Sequence, residues 1–160
     1  MTSKEYEILV ADIACKFEHY LQGSTFKILK GQDNKWEGIS TCKHQIDVSI
    51  ERDNDIYLIE CKKYTKKSIE LSDILVLYSR IVDIQGKHNK KIKGIFFTTT
   101  RYHSGVIKFG NYYKIILNKA KSIDEFAAEI AGNVILGVSV LPISATLHHP
   151  SVEIKNNEVV

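Results

Sequence analysis

The stretch Lys43–Lys63, KHQIDVSIERDNDIYLIECKK, contains the most regular pattern in the chain. In its first half Ile46, Val48 and Ile50 alternate with polar side chains. Successive side chains of a strand point to opposite faces, so apolar residues at every second position share one face. The pattern therefore predicts a half-buried strand over Lys43–Glu51.

The second half of this stretch predicts a more deeply buried strand. Turn-forming residues occupy Arg52–Asp55, and the residues that follow are apolar on both faces through Ile59. A strand with two apolar faces is typical of the centre of a covered sheet. We therefore expect Ile56–Lys62 to be a central strand that forms a β-hairpin with the first.

Two carboxylates meet in this hairpin. A turn centred within the polar connection places Asp47 opposite Glu60 and Gln45 opposite Lys62. Opposite side chains lie about 4.5–5.5 Å apart at Cβ, so the two acids repel each other. Glu60 also ends an apolar strand, where an unpaired charge costs several kcal/mol. A divalent cation between the carboxylates removes both penalties, and oxygen ligands favour Mg²⁺, with Mn²⁺ as a substitute.

Lys62 shares a strand face with Glu60, because the two residues are separated by one position. Its ammonium can orient or deprotonate an attacking water and stabilise charge on a phosphoryl oxygen. The carbonyl of Cys61 is a further candidate metal ligand. This set suits phosphodiester hydrolysis, whereas the alternative is a solvated sheet face with a salt bridge. The apolar surroundings of Glu60 and the matching parity of Lys62 favour the metal site.

The flanking sequence predicts helices and strands in an α/β order. Before the hairpin we expect an amphipathic helix over Thr2–Gln22, a strand over Thr25–Leu29 and a loop over Gly31–Cys42. After it the pattern predicts, in order, a helix at Ser68–Asp83, a strand at Lys93–Thr100, a helix at Ser104–Tyr112, a strand at Lys114–Leu117, a helix at Ser122–Ala131 and a strand-like run beyond Gly132. The expected fold is a mixed sheet flanked by helices.

The chain has the size and composition of one globular domain. Its 160 residues fall within the usual ~100–200 of a domain, with 1–131 as the main body and 132–160 as a C-terminal extension of it. The longest apolar run is much shorter than the ~20 residues of a membrane span, and we recognise no signal peptide. The three cysteines lack the spacing of a zinc or redox motif, so we expect a reduced, cytoplasmic protein.

Charge is unevenly distributed along the chain. Residues 1–121 hold 21 Lys/Arg against 14 Asp/Glu, whereas residues 122–160 hold one Lys against five acids. Lys63, Lys66 and Lys67 follow the candidate site and are predicted to contact nucleic-acid phosphates. The basic loop at Lys87–Lys93 is expected to be simply solvated. For His44 both a substrate contact and a structural role stay open, and the absence of a Gly-rich phosphate loop predicts no nucleotide cofactor.

At these residues the chain resembles the PD-(D/E)xK nuclease superfamily, which has the restriction endonuclease-like fold. Ile46-Asp47 stands where the superfamily has Pro-Asp, and Glu60-Cys61-Lys62 stands where it has (D/E)xK. The resemblance is closer to Mrr-type restriction endonucleases, and it covers roughly residues 3–120. The further matching pieces are Tyr6-Glu7 on the first helix, Gly38 in the loop and His44-Gln45-Ile46-Asp47.

The resemblance implies a restriction endonuclease-like core with elements in αβββαβ order. It also implies Asp47 and Glu60 as metal ligands, Lys62 as the catalytic lysine and Glu7 as an acid supplied by the first helix. We therefore expect a Mg²⁺-dependent DNA endonuclease, acting as a homodimer or within a larger nuclease complex. The alternatives are a non-catalytic DNA-binding or interaction subunit with the same fold, and a structure-selective nuclease such as a junction resolvase.

Overall fold

The computed structural model describes residues 26–64, 66–121 and 123–135, together with Glu5 and Ile8. Glu5 and Ile8 are helical, in agreement with the first predicted helix. The other positions of that helix, including Glu7, lie outside the described residues, as does the C-terminal extension beyond Ile135.

A five-stranded mixed sheet forms the centre of the described fold. The strands are β1 (Phe26–Lys30), β2 (Lys35–Glu37), β3 (Lys43–Gln45), β4 (Val48–Arg52), β5 (Asp55–Lys62), β6 (Lys91–Thr98) and β7 (Ile116–Lys119). The sheet has the order β1-β4-β5-β6-β7, and β2 pairs with β3 in a separate two-stranded sheet. Strands β1, β4 and β5 are antiparallel, whereas β5, β6 and β7 are parallel. The prediction that β5 is the central strand is confirmed.

Helices cover both faces of this sheet. They are α1 (Leu71–Gln85), α2 (Ser104–Tyr113) and α3 (Ile123–Ile130), and a π-helical turn over Ala131–Ile135 follows α3. The α/β class is therefore confirmed, and the strands of the five-stranded sheet and these three helices follow the predicted order. No helix in the described part of the chain is long and apolar enough to cross a membrane.

Strand β5 has a hydrophobic cluster on each side. Ile56 and Leu58 pack in a cluster with residues of α1 and α2, whereas Tyr57, Ile59 and Cys61 pack in a second cluster that includes residues next to α3. Side chains alternate along a strand, so Glu60 continues the row of Ile56 and Leu58. The carboxylate therefore faces α1.

The hairpin register is confirmed in its inner part. Val48 lies opposite Ile59 and Arg52 lies opposite Asp55, so a two-residue turn joins the strands. The first turn residue, Asp53, has a positive φ of 51°, a conformation that aspartate tolerates better than most residues.

The predicted continuous strand over Lys43–Glu51 is wrong in its first half. The chain breaks at Ile46 and Asp47, between β3 and β4. Ile46 leaves the row of Val48 and Ile50 and packs in the α1-facing cluster. The predicted Gly31–Cys42 loop contains β2, and Gln45 lies opposite Lys35 of that strand rather than opposite Lys62. Alternation alone missed the break, because a corner between two strands keeps the same apolar spacing.

The predicted strand-like run beyond Gly132 is also wrong over the described residues. Ile130 and Val134 both lie in the core on the α3 side of the sheet. The π-helical turn continues from α3 and buries both side chains, because a separation of four residues places two side chains on one face of a helix.

The boundaries of the other helices and strands differ from the prediction by one to three residues. Helix α1, for example, begins after Glu70, whose N–H donates to Asp73 at 2.9 Å.

Candidate functional site

The break between β3 and β4 is held by Asn34, which is fully buried. Its side-chain amide donates to the carbonyl of Ile46 at 2.9 Å and to that of Leu29 at 3.1 Å. The carbonyl of Asn34 accepts from the N–H of Ile46 at 3.0 Å, and the N–H of Gly31 donates to the carbonyl of Asp47 at 3.3 Å. These contacts fix the backbone on both sides of the corner and so determine where the Asp47 side chain begins.

Asp47 reaches across to the end of β5. It directly precedes Val48, the first residue of β4, which lies opposite Ile59 of β5. Its Oδ2 accepts a hydrogen bond of 2.8 Å from the backbone N–H of Cys61. The Asp47 carboxylate therefore lies beside the chain segment that carries Glu60, Cys61 and Lys62.

Glu60 is a buried carboxylate between two cations. The residue is 4% exposed. Its Oε1 lies 3.0 Å from Nζ of Lys62, and its Oε2 lies 2.8 Å from Nη1 of Arg80 on α1. Burying a charge is tolerated when the charge is paired and hydrogen-bonded. The two cations thus account for a carboxylate at the end of an apolar strand.

The ammonium of Lys62 is influenced by both acids. Burial lowers the pKa of Lys62, but the charge of Glu60, the hydrogen bond to Glu60 and the charge of Asp47 together raise it above the ordinary value of 10.5. Both carboxylates therefore act on one amine, which stays protonated at neutral pH. The structure brings together three of the residues that the sequence singled out.

Arg80 is a member of this cluster that the sequence analysis missed. It lies three residues after Leu77 and four before Ile84, two buried residues of α1. That spacing puts Arg80 on the helix face that packs against the sheet. The signal available in the sequence was a cation within the apolar stripe of an amphipathic helix, close in the chain to a strand that ends in a buried acid.

Cys61 contributes its backbone rather than its thiol. The residue is 3% exposed, and its side chain packs in the cluster on the α3 side. In a strand the N–H and C=O of one residue point to the same side, so the carbonyl of Cys61 points to the edge where its N–H meets Asp47. Glu7, the fourth predicted catalytic residue, lies outside the described residues.

The donor set suits a hard divalent cation. It consists of the carboxylates of Asp47 and Glu60 and the carbonyl of Cys61. Within the described ranges no group of three or more His, Cys, Asp or Glu side chains could hold a metal. Mg²⁺ usually takes one or two protein carboxylates and keeps several waters. Two carboxylates and one carbonyl therefore match the protein ligands expected for Mg²⁺.

The two predicted basic segments differ in how they are neutralised. Beside the site, Lys66 is exposed, and Lys67 lies 3.4 Å from Glu70 in a pair exposed on both sides. The second loop pairs with acids of the sheet through three contacts: Lys87 with Glu37, Lys90 with Glu51 and Lys93 with Asp55. Three lysines of the second basic segment therefore have acidic partners within the protein.

His44 has a structural partner in α1. Its Nε2 lies 2.5 Å from Oδ2 of Asp83. Asp83 also accepts from the backbone N–H and the hydroxyl of Ser40, at 2.9 and 2.6 Å. The bonds from Ser40 first, and then the contact with His44, lower the pKa of Asp83 from 3.8 to about 2. A Cβ on Gly38 would lie 1.9 Å from Oδ2 of Asp83, so only glycine fits this close approach.

A family comparison agrees with the fold. The Mrr_cat restriction endonuclease family model matches residues 16–127, which include β1 to β7 and the whole candidate cluster. The chain belongs to the Mrr_cat restriction endonuclease family. Its restriction endonuclease-like fold, expected from the sequence, is confirmed. No curated protein matches the chain at a significant level.

Two solved structures are similar to this Mrr_cat domain. The crystal structure of AF1548, a protein of unknown function, superposes with a TM-score of 0.55 at 25% identity, over 69% of this chain and 56% of that one. The MspJI restriction endonuclease in complex with a 27-mer oligonucleotide gives a TM-score of 0.47 at 12% identity, over 84% of this chain and 29% of that one. The chain thus spans little more than half of the first structure and under a third of the second.

Proposed function

We propose that this Mrr_cat domain is a metal-dependent endodeoxyribonuclease that uses Mg²⁺, with Mn²⁺ as a substitute. The observation that carries the proposal is the arrangement of two carboxylates, Asp47 and Glu60, around the single ammonium of Lys62 at the end of a central strand. Membership of a restriction endonuclease family supports it.

Each residue of the cluster has a role in this proposal. Asp47, Glu60 and the carbonyl of Cys61 hold the cation. When bound, Mg²⁺ would polarise the phosphoryl oxygen and lower the pKa of a water. Glu7 is proposed as an additional acid from the first helix.

Lys62 acts as a donor. Because its pKa is raised above 10.5, the amine carries its proton throughout the neutral range. It orients the attacking water and donates to the phosphoryl oxygen on which negative charge develops.

DNA binding and double-strand cleavage extend this proposal beyond the cluster. Lys63, Lys66 and Lys67 contact phosphates next to the cut, which gives affinity that depends on salt rather than on sequence. One cluster cuts one strand, so double-strand cleavage requires a homodimer or a larger nuclease complex.

Plasmid cleavage tests the proposal. The wild-type protein should nick or linearise plasmid DNA in Mg²⁺ and not in EDTA, and Lys62→Ala should lower the rate by at least about 100-fold, since it removes positioned electrostatic stabilisation. Lys91→Ala is the matched control. Lys91 is exposed, and its backbone lies opposite Asp55, at the other end of β5 from Lys62. Undiminished cleavage by Lys62→Ala contradicts the mechanism.

A non-catalytic DNA-binding subunit is the second candidate. The observation in its favour is that both oxygens of Glu60 already have cationic partners. This candidate predicts salt-sensitive DNA binding with neither Mn²⁺ binding in calorimetry nor cleavage. Junction and linear substrates compared in one assay would separate a structure-selective nuclease from a restriction enzyme.

A further inference from the structure

The candidate cluster is electrically balanced by its own side chains. Asp47 and Glu60 supply two negative charges, whereas Lys62 and Arg80 supply two positive charges. The guanidinium of Arg80 lies 2.8 Å from the same carboxylate that the proposed function assigns to the metal. A cation entering this site therefore meets no net attraction from the four groups taken together.

Arg80 opposes the binding of a divalent cation by direct repulsion. A cation held by Oε1 of Glu60, the oxygen that Lys62 contacts at 3.0 Å, has the guanidinium of Arg80 on the other oxygen of the same carboxylate, and charges this close in a partly buried site interact strongly. The Glu60 side chain is 5% exposed, so water screens the interaction poorly. Metal affinity in the free protein is lowered accordingly.

A DNA phosphate restores the balance. A phosphate held by the proposed metal would bring a negative charge into the cluster that also holds Arg80. The bond to Glu60 engages Nη1 of Arg80, and a guanidinium carries five donors in a planar fork, so the same side chain can serve Glu60 and a phosphate oxygen together. The Arg80 side chain is 24% exposed, which leaves it accessible from the surface.

We propose that Arg80 makes metal binding at this site depend on bound DNA. The inference rests on the proposed function and adds a regulatory role for a residue outside the Asp–Glu–Lys set. Because binding free energies are linked, DNA must raise the affinity for metal by the same factor by which metal raises the affinity for DNA. The protein then binds the metal mainly when DNA is already bound.

Calorimetric titration with Mn²⁺ tests this inference without a cleavage readout. Each protein is titrated alone and bound to a short duplex with hydrolysis-resistant phosphorothioate linkages. For wild type, the duplex should raise the Mn²⁺ affinity by about tenfold or more, within the usual range of coupling between sites. Arg80→Gln, which removes the charge, should bind Mn²⁺ about tenfold more tightly than wild type without DNA and gain little from the duplex.

Arg80→Lys is the matched control, because it keeps the positive charge and should retain the dependence on DNA. Unchanged or weaker Mn²⁺ binding by folded Arg80→Gln overturns the inference, since it shows that Arg80 only positions Glu60. If Arg80→Gln does not fold, as judged by thermal unfolding, the comparison of wild-type Mn²⁺ affinity with and without duplex still tests the proposal. Equal Mn²⁺ affinity with and without duplex also overturns the proposal.

Failure of the inference and failure of the proposed function give different results. If wild type cleaves plasmid in Mg²⁺ while Arg80→Gln gains no Mn²⁺ affinity, only the role of Arg80 falls. If wild type binds no Mn²⁺ in either titration and cleaves nothing, the nuclease proposal itself falls.

Discussion

Glu60 and Lys62 illustrate how a site acquires its charge state from opposing effects on one side chain. Burial alone favours the neutral amine, but the neighbouring carboxylates favour the ammonium, and the second effect prevails. A group whose pKa is raised on folding adds stability below its unfolded pKa, and this stability is lost as the pH rises through the higher folded value. The Lys62 contribution is thus fully present at neutral pH.

Replacing Glu60 by glutamine should lower the pKa of Lys62 relative to wild type. The substitution removes the charge of Glu60 and leaves the burial that acts in the other direction. The pKa is measured by NMR titration of the Lys62 side chain without metal. Glu51→Gln, which removes the partner of Lys90 instead, should leave the Lys62 titration unchanged. A wild-type pKa in Glu60→Gln contradicts this account of the cluster.

Asn34 is the residue on which the position of Asp47 depends most directly. In addition to its bonds to Leu29 and Ile46, its Oδ1 accepts from Nε1 of Trp36 at 2.9 Å and from the hydroxyl of Ser49 at 2.8 Å. A buried side chain with every polar atom bonded is costly to remove, because its partners lose their bonds without access to water.

Replacing Asn34 by leucine should therefore destabilise the protein by about 2–4 kcal/mol. Urea unfolding measures the free energy, and the same variant should bind Mn²⁺ more weakly, because the corner at Asp47 is no longer fixed. Asn89→Leu, at an exposed loop position, is the control and should change the free energy by less than about 0.5 kcal/mol. Similar stabilities for the two variants would contradict the role of Asn34.

Helix α1 joins two parts of the fold. Its buried face carries Arg80 to Glu60, and three residues later Asp83 binds the segment that leads into β3. The two-stranded sheet is thereby attached to the same helix that contacts the catalytic candidates. Since β3 leads directly into the corner at Asp47, the attachment at Asp83 is connected to the geometry of the site.

The Asp83 attachment should make stability depend on pH in acid. Its folded pKa of about 2 lies below the ordinary 3.8, so its contribution is present above about pH 4 and is lost as the pH falls towards 2. The difference in melting temperature between wild type and Asp83→Asn should shrink over that interval. Asp33→Asn, at an exposed position, should show no such change, and a constant difference for Asp83→Asn would contradict the assignment.

Two groups of lysines in the described part of the chain differ in their ion pairing. The lysines that follow β5 come directly after Lys62 in the chain, whereas those of the loop after α1 pair with carboxylates of the strands. Net charge alone would make every lysine equivalent in DNA binding. The proposed function instead requires that lysines near the cluster contribute most.

The double variant Lys66→Glu with Lys67→Glu should weaken DNA binding. The slope of log K against the logarithm of the salt concentration should fall in magnitude by about 1 for each phosphate that the protein no longer binds. Fluorescence anisotropy at several salt concentrations measures both quantities. The control is Lys87→Glu with Lys91→Glu, which changes the net charge equally away from the cluster. Equal weakening by the two pairs would show that net charge, and not the site, controls binding.

Local pattern was sufficient for the central hairpin. The alternation before the turn, the two apolar faces of β5 and the two-residue turn depend on neighbours in the chain, and they predicted the correct register of Val48 with Ile59. The common face of Glu60 and Lys62 follows from the same period of two. For this reason the α/β class and the acid–Lys pair could be predicted without coordinates.

Tertiary structure alone decided how the cluster is completed and supported. Arg80 approaches Glu60 across 20 residues of sequence, Asp83 approaches His44 across 39, and Asn34 closes a corner that alternation hides. Such contacts depend on how helices and strands pack, and a side chain's own neighbours in the chain carry no record of that packing. The charge balance around Glu60 is therefore a property of the folded protein, whereas the presence of an acid and a lysine on one strand face is a property of its sequence.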